Sequence, residues 1–339
     1  MEKDIKKTRR EFLGDVIKTG SAAAVGGLVC IGLSPKINAV SSANDIISMT
    51  DIDPDKILCN EFRKPVSTGF RESRFIAADK SGVLYAGGDR SVRIIDRSGR
   101  ITNTLELTVS PFCMAADDEH LYIGTKDNVV VSDKKGNVQS AWKNLGENAW
   151  ITGIALDDRF IFIADAGQRI VWCYDLKGNF IRTIGKKDPE RDIPGFVVPG
   201  PYFDIAMAPD GLLRISNPGN HRIEAYTIKG DREFFWGRFG NRLEDFTACC
   251  NPVSLTVLSN GDTVTCEKGV ARVKVYDTFG NLKGFVAEPK NLANVSANTG
   301  IKTERVQRYG FDITADDHGS IFILDRARNV IRFFRPKKA

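Results

Sequence analysis

Histidine is scarce in this chain: His120, His221 and His318 are the only three among 339 residues. A hydrolytic triad needs an imidazole beside a nucleophile and an acid. None can be assembled here, since His221 has only Ser216 or Ser254 as candidate nucleophiles. The seven cysteines include no Cys-x-x-Cys pair and no Cys–His spacing, so no zinc motif is written in the sequence. The apolar run Ser21–Leu33 is shorter than the roughly 20 residues needed to cross a bilayer. A net charge of +5 is close to balanced and demands no nucleic-acid partner. The terminal Lys337-Lys338 is too short to read as a membrane tether. No long stretch carries the 3.6-residue period of a helix.

What the chain has is repetition. Residues 203–227 read as a short apolar strand, an Asp-Gly turn, a second strand, a polar Asn-His-Arg loop and a third strand. The same grammar recurs at 75–96, 113–133, 152–175, 253–277 and 311–335, which makes six copies starting 38 to 58 positions apart. That period, with insertions, matches propeller blades of about 40 to 50 residues. Alternation at Ile76 and Ala78, Ile154 and Leu156, and Ile313 and Ala315 supports the strand assignments. With 31 glycines and 42% hydrophobic residues, the composition fits an all-β, turn-rich domain. A repeat of this kind cannot bury both faces alone, so the copies must stack into a ring.

The repeats resemble the NHL family of β-propellers. Gly219–Ile223 (Gly-Asn-His-Arg-Ile), Gly167–Ile170 (Gly-Gln-Arg-Ile) and Ala271–Val273 (Ala-Arg-Val) carry the resemblance. So do Tyr174-Asp175 and Tyr276-Asp277, each followed by a Gly-Asn turn. The resemblance covers 59–336 and implies a six-bladed ring. The family includes binding platforms, ubiquitin-ligase modules and hydrolytic or lyase enzymes, so activity must be argued from the site. The three-histidine zinc centre of amidating lyases with this fold is not expected, because the three histidines fall at non-convergent positions. Related calcium lactonases use channel Glu, Asn and Asp residues; Asp204, Asp312, Asn217 and Glu267 would supply a comparable set. The last copy lacks a fourth strand. Ile57–Val66 has no other partner and is expected to supply it, closing the ring from the N-terminal side.

The first 43 residues read as a targeting segment. Arg9-Arg10, then Phe12-Leu13 and a mildly apolar Ala/Gly-rich run, resemble a twin-arginine export signal, with small residues at Ala39 and Ala43 suited to cleavage. The propeller over 57–336 is then expected in the periplasm or otherwise exported, near neutral in charge, monomeric and without a transmembrane helix.

Candidate site residues follow from the repeat register. Asp204 and Asp312 share the slot held by Cys113 and Gly153 in other copies, at the start of an innermost strand, facing the axis. Cys249 and Cys250 lie in a lengthened loop before Asn251-Pro252, with Cys266 on the next strand and Glu267 after it. Together Cys113, Cys249, Cys250, Cys266, Asp204, Asp312 and Glu267 could ring the top of the channel. Three readings stay open: a soft or borderline metal ion, a redox-active vicinal disulfide, or small buried residues without chemistry. His221 and the recurrent Arg169, Arg222 and Arg272 read as ties between blades. Two functions are carried forward. One is an exported binding or scaffold subunit beside a periplasmic redox system, taking a protein partner or small ligand on the top face. The other is a metal-dependent hydrolase or lyase with its site in the channel.

Overall fold

Two of the repeats end their third strand in a turn that the sequence itself locks. The Asp175 carboxylate accepts the N–H groups of Lys177 and Asn179 and the Asn179 side-chain amide. Asp277 does the same for Phe279 and Asn281. Gly178 and Gly280 sit at φ of 84° and 87°, a conformation that disfavours any residue with a Cβ. These turns reverse the chain into a fourth strand and explain why aromatic-Asp and Gly-Asn recur together.

The computed structural model describes residues 52–293 and 310–337. Arg9, Arg10, Phe12 and Leu13, the residues expected to form an export signal, lie outside the described residues, as do Ala39 and Ala43. The described chain forms six four-stranded antiparallel sheets, a six-bladed β-propeller. In five blades the strands follow in chain order, with the first of each blade innermost. The innermost strands are Ser73–Ala78, Cys113–Ala116, Ile151–Leu156, Ile205–Met207, Ser254–Val257 and Phe311–Ala315. Each packs beside the next, and the last returns to the first.

The sixth blade is closed as the sequence implied. Cys59–Ser67 pairs antiparallel with Val330–Pro336, from Cys59 opposite Pro336 to Ser67 opposite Val330. The expected segment began two residues earlier. Ile57 bridges instead to Phe285, on the outer strand of blade 5, and Leu58 N–H donates to the same residue. The chain therefore runs along blade 5 before crossing to blade 6. Arg332 fixes the crossing with two bonds to Glu61, 2.9 and 2.6 Å long.

The core lies between blades, in separate clusters. Val264, Val275, Ile313 and Ile323 fill the seam of blades 5 and 6. Phe162, Cys173, Phe203 and Ile215 fill that of blades 3 and 4. Part of the insertion 185–200 joins the second cluster through Ile193, Phe196 and Val198. The other insertion begins with a short helix, Pro289–Ala293, whose Leu292 is buried.

Candidate functional site

One slot on the innermost strands is occupied in turn by Arg74, Cys113, Gly153, Asp204, Ser254 and Asp312. Its equivalence is visible in the pairing: Cys113 lies opposite Gly124, Gly153 opposite Ala164, Ser254 opposite Cys266 and Asp312 opposite Leu324. Three consecutive blades thus carry Asp, Ser and Asp at this slot, and the two acids line the channel. The Ser254 hydroxyl donates to Asp312 Oδ1 at 2.9 Å. Asp312 Oδ2 accepts the Ile76 N–H, and Arg326 Nη2 lies 3.4 Å from Oδ1. Asp204 accepts the N–H groups of Leu255 and Ile205, both at 2.9 Å. A Cβ on Gly153 would stand 2.9 Å from Asp204 Oδ1, so the missing side chain makes room for the carboxylate.

Burial, then the charge of Asp312, push Asp204 up to about 7, against the pull of its backbone donors. A group held there can give or take a proton near neutrality. Cys113 shares the channel. Its burial and the two nearby carboxylates push its thiol well above the usual range, which makes it a poor nucleophile. The cavity that Cys113, Asp204 and Asp312 help to line has a volume of about 340 Å³.

Above it opens a larger cavity of about 500 Å³, lined by Arg71, Arg74, Arg326, Phe112, Trp150 and Tyr202 among others. Phe112, Thr152 and Arg326 line both spaces, so mouth and channel form one funnel. The Arg74 guanidinium lies 4.7 Å from the Phe112 ring centre. Phe112 meets Trp150 edge to face at 6.5 Å, and Trp150 is 40% exposed. Arg326 Nε donates to the Arg74 carbonyl, which fixes one cation over the channel. Lys268 Nζ stands 4.6 Å from the Tyr202 ring. Glu72 lines the mouth too and pairs with Arg74 at 3.1 Å, so the mouth is aromatic with an excess of cations, and the floor is acidic.

The remaining candidates lie elsewhere. Glu267 does not face the channel acids. Its carboxylate is fully buried with Arg272 at 2.7 Å and Lys274 at 2.8 Å, and it accepts the Thr247 N–H. Burial alone would raise this acid, but Lys274 and Arg272 hold it below the usual carboxylate range. Its position is a structural latch that recurs. Asp89, Asp165 and Asn217, each at the end of a second strand, likewise accept N–H groups of the segment leading into their own blade. Cys266 is packed behind the channel slot, opposite Ser254, with its sulfur 3.2 Å from the Phe311 carbonyl; burial, then the Asp312 charge, push its thiol up. Cys249 and Cys250 stay in the loop before blade 5, with their sulfurs 3.1 Å apart. Among the described residues no three His, Cys, Asp or Glu side chains gather so as to hold a metal ion. The seven candidates thus divide into a channel group, a loop pair, a latch and a packed thiol.

The two insular histidines stay apart from this site. His318 lines a separate cavity beside Asp316, and His120 contacts Asp117. His221, at φ 53°, bonds through Nε2 to the Ala248 carbonyl at 2.7 Å and so ties its blade to the next loop. Arg272 is a similar tie, donating to the Asp245 carbonyl.

Sequence comparison finds no matching family profile and no matching curated protein. Solved structures do match in fold. Virginiamycin B lyase from Staphylococcus aureus is 14% identical with a TM-score of 0.55, covering 81% of this chain and 99% of its own. The WD40 propeller domain of Doa1 is 14% identical with a TM-score of 0.52, covering 78% and 79%. A protein of unknown function from Bacteroides thetaiotaomicron is 16% identical with a TM-score of 0.57, covering 83% and 73%. At these identities the likeness is one of fold.

Proposed function

We propose that this chain is an exported NHL-like propeller that binds a small aromatic anion at the mouth of its channel. The observation that carries the reading is the funnel: three arginines, one of them paired with Glu72, and three aromatic rings around one cavity of about 500 Å³. Rings offer planar stacking surfaces and guanidinium groups pair with carboxylate or phosphate. Tying Arg326 to the Arg74 carbonyl pre-orients part of that charge, which lowers the entropic cost of binding.

Trp150 supplies the test. Titrating the protein with a panel of aromatic carboxylates and aryl phosphates should give saturable quenching that Trp150→Phe removes. Arg74→Ala should weaken binding roughly tenfold or more, the worth of one charge-assisted hydrogen bond of about 1.5–3 kcal/mol. A panel that gives no Trp150-dependent signal would sink the reading.

Export rests on the sequence signal. Replacing Arg9 and Arg10 by lysine should strand the precursor in the cytoplasm, as read by cell fractionation. Unchanged export in a host lacking the twin-arginine translocase argues against it.

A second reading has its own observation. Asp204, held near 7 beside Ser254 and Asp312, lies beneath the mouth and could serve as a general acid or base. The lyases among the fold relatives make elimination the first chemistry to assay. Turnover of a bound ligand that Asp204→Asn abolishes without loss of binding would favour an enzyme.

A further inference from the structure

The loop 247–251 carries the only two described sulfurs within reach of one another. Cys249 and Cys250 are free thiols with their sulfurs 3.1 Å apart. Cys249 is exposed while Cys250 is buried. The loop is clamped on every side. Thr247 N–H bonds to Glu267, and the Ala248 carbonyl bonds to His221. The fully buried Asn251 side chain bonds to the Thr247 and Lys268 carbonyls and to the Lys268 N–H. Ala248 is held at φ 61°, a conformation that a residue with a Cβ adopts only when its surroundings impose it. Clamped this way, the backbone keeps the two sulfurs facing each other.

We propose that Cys249 and Cys250 form a thiol–disulfide exchange site, which closes to a vicinal disulfide on meeting a small-molecule disulfide and reopens in thiol. The steps balance. The exposed Cys249 sulfur, as thiolate, attacks one sulfur of oxidised glutathione, forms a mixed disulfide and expels one glutathione thiolate. Cys250 then gives up its proton to water, attacks the Cys249 sulfur and expels the second glutathione thiolate. Both thiolates take up protons to become thiols. The protein is oxidised by two electrons and one glutathione disulfide is reduced.

The surroundings act on the second step in both directions. Burial, then the bond with Cys249, raise the Cys250 thiol, and the Lys268 cation beside it opposes that rise and steadies the thiolate as it forms. The closed ring is readily reopened. Adjacent Cα atoms stand about 3.8 Å apart, below the roughly 4.4–6.8 Å usual across a disulfide, and strained bridges are the more reducible ones. The other described cysteines provide internal controls: Cys59, Cys113, Cys173 and Cys266 are all buried, and none bonds to a second sulfur.

The test uses the full chain purified in thiol, incubated with oxidised glutathione, quenched in acid, alkylated and mapped by mass spectrometry. The expected product is a peptide spanning Cys249 and Cys250 that takes up no alkylating agent and is lighter by a pair of hydrogens. The buried cysteines should remain reduced, and added reduced glutathione should restore both alkylation sites. Cys250→Ser should halt the reaction at the glutathione adduct on Cys249. Two fully alkylated thiols after incubation, or a glutathione adduct in the unsubstituted protein that never resolves, would overturn the proposal. Neither outcome depends on what the mouth of the channel binds.

Discussion

At the scale of single residues, Asp204 makes the sharpest energetic claim. Its folded value of about 7 lies above the ordinary value near 3.8. Between these values the folded chain keeps a proton that the unfolded chain has released. Linkage then requires the contribution of Asp204 to stability to fall as pH rises through that window, and to stay low above it. Burial is the larger cause and the Asp312 charge the second, so Asp312→Asn should shrink the loss without removing it. Urea midpoints of the two proteins at about pH 5 and about pH 8 give the comparison, with the difference between proteins isolating this pair from other titrating groups. Equal pH slopes would show that Asp312 has no hold on Asp204. The channel position of both acids was legible because strand register is periodic. The elevated state of Asp204 was not, since it depends on how deeply the closed ring buries the carboxylate and how near it brings the Asp312 charge.

At the scale of elements, strands and lead-in loops differ in what the sequence discloses. Innermost strands repeat because every blade must present alternate residues to two neighbours. The lead-in loops obey no such period, and they carry the mouth: Arg71, Phe112, Trp150 and Tyr202 all fall within three residues before the channel slot. Reading the positions just ahead of that slot for rings and cations was the signal available to find them. Glu267 was misread for the opposite reason. It stands next to Cys266 in sequence, but successive strand residues face opposite ways, so one packs toward blade 6 and the other toward the loop before blade 5. An acid or amide closing strands in several copies was the sign of a latch. Replacing Glu267 by Gln leaves Arg272 and Lys274 buried without their counter-charge. The expected loss is about 3–5 kcal/mol, read from urea unfolding. A loss near that of an exposed ion pair, about 0–1 kcal/mol, would mean the latch is dispensable.

At the scale of the whole molecule, the ring depends on joining its two ends. The last blade takes three strands from the C-terminal end of the chain and its outer strand from Cys59–Ser67. That strand shields Phe333 and Phe334, both 2% exposed, and its Phe62 packs edge to face on Phe333 at 6.2 Å. Arg332 and Glu61 add a two-point ion pair across the same seam. Blades in a linear stack would share only neighbour contacts, whereas closure makes the opening of any one seam depend on the others. It also holds the channel acids in register, since Asp312 of blade 6 bonds to Ile76 of blade 1. Removing the closing strand should therefore act beyond its own contacts. A chain starting at Thr68 exposes the backbone edge of Val330–Pro336 and two aromatic side chains, a template for pairing with other chains. The expected result is a loss of several kcal/mol from the roughly 5–15 kcal/mol typical of a domain, with aggregation on warming. Calorimetry and light scattering on the truncated and full proteins measure it. A truncated chain that melts at the same temperature as the full one, without aggregating, would show that the ring holds without its latch.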